Sequence, residues 1–169
     1  WKLLDDLYRL LSPLEPGSML VDVGVGHGDL VRATMINQAY RSRQRGWSPE
    51  RPVHVIGLGH SHDSLTQARQ SLRALHRELD SDFAGTLSIH PPLTTDWVQA
   101  DWTQGLPFKD QSLHRIVCNL SLPFVPSPLI TIRELYRMLH PQARLVLTVF
   151  HPDTDLSVLY RRHLHRANQ

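Results

Sequence analysis

The sequence is poor in cysteine, in net charge and in long apolar runs, and each scarcity narrows what the chain can be. A single cysteine, Cys118, leaves no disulfide possible within the 169 residues and suits a reducing, cytoplasmic setting. No apolar run approaches the roughly 20 residues that cross a bilayer. No charged-then-apolar leader opens the chain, so neither a membrane span nor secretion is expected. With 18 basic and 16 acidic residues the net charge is only +2, which does not call for nucleic acid as a partner. Basic residues gather at 41–51 and 161–166, which read as solvated helix faces and helix ends. The first residue is Trp1, and a larger polypeptide is the expected context.

What is present is ordinary for a globular protein: 41% apolar and 20% charged residues, with length for a single domain over 1–169. Leu3, Leu4, Leu7, Leu10 and Leu11 recur at helical spacing and predict a lead helix that stops at Ser12-Pro13. "MLVDVG" then reads as a short apolar strand, and Asp29 opens a helix running to about Arg43. "VHVIGL" is a second strand, followed by a helix from Ser61 or His62 with Leu65, Ala68, Leu72, Leu75 and Leu79 on one face. "TLSIH" is a candidate stray strand, "WVQAD" a third strand and "LHRIVCNL" a fourth. "PLITIRELYRML" predicts a helix, His140 to Ala143 a turn, and "RLVLTVF" a fifth strand. "DLSVLYRRHLHR" resembles the start of another helix.

Continuously apolar strands alternating with helices predict an α/β fold: a mostly parallel sheet covered on both faces. Right-handed crossovers then place every strand's C-terminal end on one edge, where ligands bind. Gly24 to Gly28, Gly59 to His62, Asp101, Trp102, Asn119 and His151 all fall on that edge.

Glycines at 24, 26 and 28 suit a backbone that turns sharply and comes close to a ligand, and the following helix N-terminus offers free N–H groups. The spacing is G-x-G-x-G. That is not the G-x-G-x-x-G of dinucleotide folds, and no G-K-[ST] follows for a phosphate loop. Asp22, just inside the strand end, is a poor neighbour for a pyrophosphate and a good one for an ammonium group. A plain tight turn remains the alternative.

"LVDVGVGHGDL" resembles the first motif of class I S-adenosylmethionine-dependent methyltransferases. "VIGLGHSHDSLTQAR" resembles that family's second strand and helix, and "QADWTQGLPFKDQSLHRIVCNLSLPFV" its third and fourth strands. "IRELYRMLHPQARLVLTVFHPDT" resembles the helix and fifth strand that usually carry "E..R.LKPGG.L". The likeness covers nearly the whole chain and is nearest to the subgroup acting on small molecules. It implies a three-layer α/β/α Rossmann-like methyltransferase fold, S-adenosylmethionine as cofactor and a small-molecule acceptor. Methyl transfer is then the expected function. The family's C-terminal antiparallel strand pair is not found after the fifth strand, so the sheet is expected to be truncated there.

Carried onto this sequence, the resemblance implies that Asp22, Gly24, Gly26 and Gly28 hold the methionine part of the cofactor. Asp101 would accept from the adenine amino group, with Trp102 or Leu58 against the ring. Asn119 and Leu120 would line the channel to the methyl group, and Asn119 and His151 are the candidates for a catalytic role. The family usually ends its second strand with an acid that takes both ribose hydroxyls. Here Gly59 stands instead, with His60 or Asp63 as possible substitutes from the next turn. That departure supports an alternative: an inactive methyltransferase-like domain of a larger protein, serving interaction or cofactor sensing. The 11 histidines do not assemble ligand spacing for a metal, and none is expected. His27 and His60 are further candidate bases, and Cys118 reads as core.

Overall fold

The computed structural model describes residues 2–44, 51–82, 93–101 and 105–154. Helix α1 (Lys2–Leu11) turns Leu7, Tyr8 and Leu11 inward, one stripe of a helix surface. Strands β1 (Met19–Val23), β2 (Val53–Gly59), β3 (Leu93–Gln99), β4 (Leu113–Asn119) and β5 (Leu139–Thr148) form one sheet. Its order is β3-β2-β1-β4-β5, and each of the described pairings is parallel. Helix α2 (Asp29–Gln44) links β1 to β2, α3 (His62–Asp82) follows β2, and α4 (Pro128–Met138) runs directly into β5.

Two cores flank the sheet. Leu20, Val55, Val117 and Val146 face α1, α2 and α3, whereas Val21, Val23, Ile116 and Cys118 face Leu135 and Met138 of α4. Burial on both faces explains why the central strands read as unbroken apolar runs. The expected three-layer α/β/α arrangement is what the chain forms.

Polar groups tie α1 to this frame. The buried Gln38 amide donates to Tyr8 Oη at 3.2 Å and to the Leu14 carbonyl at 3.3 Å. Arg41 donates to the same phenol and lies 3.7 Å from Glu15, so part of the basic stretch at 41–51 is engaged inside the fold. Arg115 and Arg144 donate to the carbonyls of Leu11, Leu10 and Ser12, placing cations at the C-terminus of α1 where its dipole favours them.

Two strand boundaries differ from the sequence reading. β3 begins at Leu93 and ends at Gln99, whereas the expected strand ran from Trp97 to Asp101. It is an outer strand, and its polar residues sit on an open face: Thr94 Oγ1 lies 2.9 Å from His54 Nδ1, and Asp96 lies 3.2 Å from His54 Nε2. Such a strand shows no buried run for a pattern to catch. Asp101 consequently lies in the loop beyond β3.

The second difference is at 140–143, which form no turn but belong to β5. Between the pairs Leu113↔Leu139 and Arg115↔Arg144 the register shifts, with extra residues bulging on β5. Pro141 is tolerated because β5 is the sheet's other outer strand among the described residues. The stray strand expected at 86–90, the helix expected from 155, and Trp102 lie outside the described residues.

Candidate functional site

The C-terminal strand ends enclose a cavity of about 620 Å³, within the range of small-molecule sites, roughly 300–1,000 Å³. Gly24, Val25 and Gly26 line it after β1; Gly59, His60, Ser61, Ser64 and Leu65 line it after β2. Asp101 closes the β3 side, and Ser121 with residues 124–126 the β4 side.

The three loop glycines have different tasks, although φ is +79° at Gly24, +53° at Gly26 and +81° at Gly28. A Cβ placed on Gly26 would meet only the Gly24 carbonyl, at 3.9 Å, so this stretch leaves backbone bare to the cavity. A Cβ on Gly28 would lie 3.1 Å from Cβ of Ala68. Gly28 therefore lets the start of α2 approach α3 and is not among the residues lining the cavity. The loop is fixed from β2, because the N–H groups of Gly24 and Val25 both donate to the Leu58 carbonyl, at 2.8 and 3.0 Å. The Leu58 side chain is fully buried in the α4-facing core, away from the cavity lining.

Asp22 is the last polar group before this loop and is only 2% exposed. Burial, with a smaller push from the Asp29 carboxylate, raises its pKa to about 7. No donor among the described residues offsets those effects. A carboxyl held there without compensation is suited to receiving a cation from a ligand.

On the β4 side, Thr148 Oγ1 donates to Asn119 Oδ1 at 2.6 Å and accepts from the Leu120 N–H at 2.9 Å. Asn119 and Leu120 are thus latched to β5 and are not among the lining residues. Ser121 Oγ bridges the carbonyls of Gly24, at 3.1 Å, and Asn119, at 2.9 Å. His151 is exposed beyond β5, 3.5 Å from Asp153, and is not part of the cavity lining. Burial pushes the Cys118 thiol up to about 12, which suits a core residue. Among the described residues no three His, Cys, Asp or Glu side chains converge as a metal site.

The sequence pattern of the methyltransferase-domain family matches residues 21–147, from β1 through most of β5. This chain belongs to that family. Among solved structures, the methyltransferase domain is similar to a putative methyltransferase from Bacillus halodurans C-125, with 20% identity and a TM-score of 0.62 over 98% of this chain and 59% of that one. It is similar to the [4+2]-cyclase SpnF at 22% identity and TM-score 0.61, covering 88% of this chain and 44% of the other. A SAM-dependent methyltransferase from Aquifex aeolicus matches at 17% identity and TM-score 0.57, covering 89% and 67%. The domain spans 44–67% of the length of these three chains. No curated protein matches the sequence.

The methyltransferase domain thus has the fold of S-adenosylmethionine-dependent class I methyltransferases, as the first motif implied. Of the sequence-derived site residues, Gly24, Gly26, Gly59, His60 and Asp101 meet at one cavity; Asp22, just inside the end of β1, is buried beneath the loop and is not itself among the lining residues. Gly28, Leu58, Asn119 and His151 serve elsewhere or stand apart. Ser61 falls within the stretch 59–62 that the sequence placed on this edge, whereas Ser64, Ser121 and Phe124 were not singled out by the sequence. The helix-opening serines had a signal in their place after β2, but Ser121 and Phe124 become visible only when β4 is set beside β1.

Proposed function

We propose that this domain binds S-adenosylmethionine across the C-terminal edge of the sheet and passes its methyl group to an acceptor on the β4 side. The observation that carries the reading is Asp22: a buried carboxyl, poised to ionise near neutral pH, at the foot of a bare glycine loop. A ligand with an ammonium group would supply the missing counter-charge. Gly24 and Gly26 leave room for its methionine part, and Asp101 stands across the cavity for the adenine amino group. S-adenosylmethionine brings a methyl group on a sulfonium, a good neutral leaving group. The protein's contribution is therefore alignment and exclusion of water rather than acid–base chemistry.

The ribose end fits less well. Among the described lining residues Asp101 alone has a carboxylate, and Gly59 stands where the family places an acid. His60, Ser61 and Ser64 are the polar groups left to meet the hydroxyls. This favours a second reading, a domain that holds the cofactor without turnover inside a larger protein. The cyclase among its fold relatives is a reminder that the fold does not fix the reaction.

Calorimetric titration with S-adenosylmethionine and S-adenosylhomocysteine tests both. Binding of each, with transfer of a labelled methyl group to an acceptor, supports the first reading. Binding without transfer supports the second, and no heat at millimolar ligand removes both.

A further inference from the structure

The β4 side of the cavity is unlike the rest of its wall. Ser121, Phe124, Val125 and Pro126 form it, and none of them carries a charge. The titratable groups among the described lining residues, His60 and Asp101, stand at the ends of β2 and β3, across the glycine loop. Phe124 is 71% exposed. A large ring left in water at the mouth of a cavity marks a contact surface.

The segment bearing that ring is held in place. Leu120 has φ +53°, a left-handed conformation that a leucine adopts only under constraint. Thr148 fixes it from β5, and Ser121 fixes the next residue to the Gly24 carbonyl. Cross-links on both sides hold the turn that presents Phe124 beside Val125 and Pro126.

We propose that this rim selects a flat aromatic thiol or phenol that arrives already ionised and stacks on Phe124. The inference rests on the methyl-donor reading above. No described rim side chain is a base, so an acceptor needing proton removal has no partner there, whereas a thiolate or phenolate needs none. The described rim side chains also offer such an anion no cation, and the sulfonium of the donor would supply the positive centre. A lone pair of the acceptor's sulfur or oxygen forms the bond to the methyl carbon. The bond from that carbon to the sulfonium sulfur breaks, and its electron pair stays on that sulfur. Anion and cation vanish together, leaving a methylated thioether or ether and a neutral thioether, with no proton moved. An apolar rim that the stacked acceptor would cover from water favours such charge annihilation.

The test uses the chain saturated with S-adenosylhomocysteine and titrated by calorimetry with 4-nitrothiophenol or with 2,2,2-trifluoroethanethiol at about pH 9, where both thiols are ionised. Methyl transfer from labelled S-adenosylmethionine to each is measured in parallel. The aromatic thiol is expected to bind and react about tenfold better, in line with aromatic stacking plus the area it buries. Phe124→Ala should erase most of that preference, and Phe124→Tyr should restore it. Equal use of the two thiols, or a preference untouched by Phe124→Ala, overturns the acceptor reading alone. A chain that takes no S-adenosylhomocysteine overturns the donor reading, and the acceptor reading with it.

Discussion

Replacing Gly59 by aspartate should strengthen binding of S-adenosylhomocysteine. Gly59 ends β2 at the cavity wall, and its φ lies outside the left-handed region, so an ordinary residue can take its backbone. A Cβ there would lie 3.3 Å from Leu65 Cδ2, 3.4 Å from Leu65 Cγ and 3.7 Å from Val25 Cγ1. Those are side-chain atoms, and moving Leu65 by a few tenths of an ångström costs about 1 kcal/mol. Each hydrogen bond from a ribose hydroxyl to the new carboxylate is worth roughly 1.5–3 kcal/mol. Two such bonds, less the Leu65 shift and about 1–2 kcal/mol for desolvating the carboxylate, leave a net gain centred on about 2 kcal/mol within a span of roughly 0–4 kcal/mol. Calorimetry should then read a dissociation constant lower by about thirtyfold. A thermal melt of each protein establishes that the variant is folded. A folded Gly59→Asp chain that binds the ligand no better than the parent refutes the placement of the ribose beside Gly59.

Three further outcomes follow from the same contacts. Asp22→Asn should stabilise the empty protein increasingly as pH rises from about 4 to about 7. Over that interval the unfolded carboxyl loses its proton while the folded one, raised to about 7, keeps it. The gain is on the order of 4 kcal/mol by pH 7, read from denaturant midpoints; equal midpoints at both pH values would discount the burial effect. Ligand affinity should fall in the same variant. Gly57→Ala should cost about 1–3 kcal/mol, because the new Cβ would lie 2.7 Å from the Trp97 ring; a melt unchanged from the parent speaks against that packing. Arg137→Met should loosen residues 105–111. Arg137 holds Glu134 and Asp110, and Glu134 accepts the Leu106 N–H at 2.9 Å. Faster amide exchange in that loop and a loss on the order of 1–2 kcal/mol are expected, and unchanged exchange at Leu106 would contradict it.

The parts that sequence made legible share one property, burial on both sides. β1, β2 and β4 lie inside the sheet with apolar neighbours above and below, so their identity survives in a one-dimensional pattern. β3 and β5 are outer strands, and there the pattern thins: Thr94 and Asp96 face an open side, and the bulge at 140–143 breaks the register. The glycine loop was legible as a loop, but not in its division of labour. What separates Gly26 from Gly28 is Ala68, a neighbour 40 residues away from the latter along the chain. Leu58 sits one residue before the cavity and points the other way, because strand neighbours alternate between faces. Ser121 was beyond reach for the same reason of distance, its acceptor Gly24 lying 97 residues earlier.

The Ser121 hydroxyl bears on how the two proposed ligands would affect each other. It joins the carbonyl of Gly24, on the donor's loop, to that of Asn119, at the root of the acceptor's turn. On the proposed reading donor and acceptor bind on either side of this hydroxyl, so a ligand that settles the loop would also bias the turn and couple the two. Linkage then requires reciprocity: if the first ligand tightens the second by some factor, the second tightens the first by the same factor. On that reading Ser121→Ala should bring this reciprocal factor towards one, measured by titrating each ligand in the absence and presence of the other.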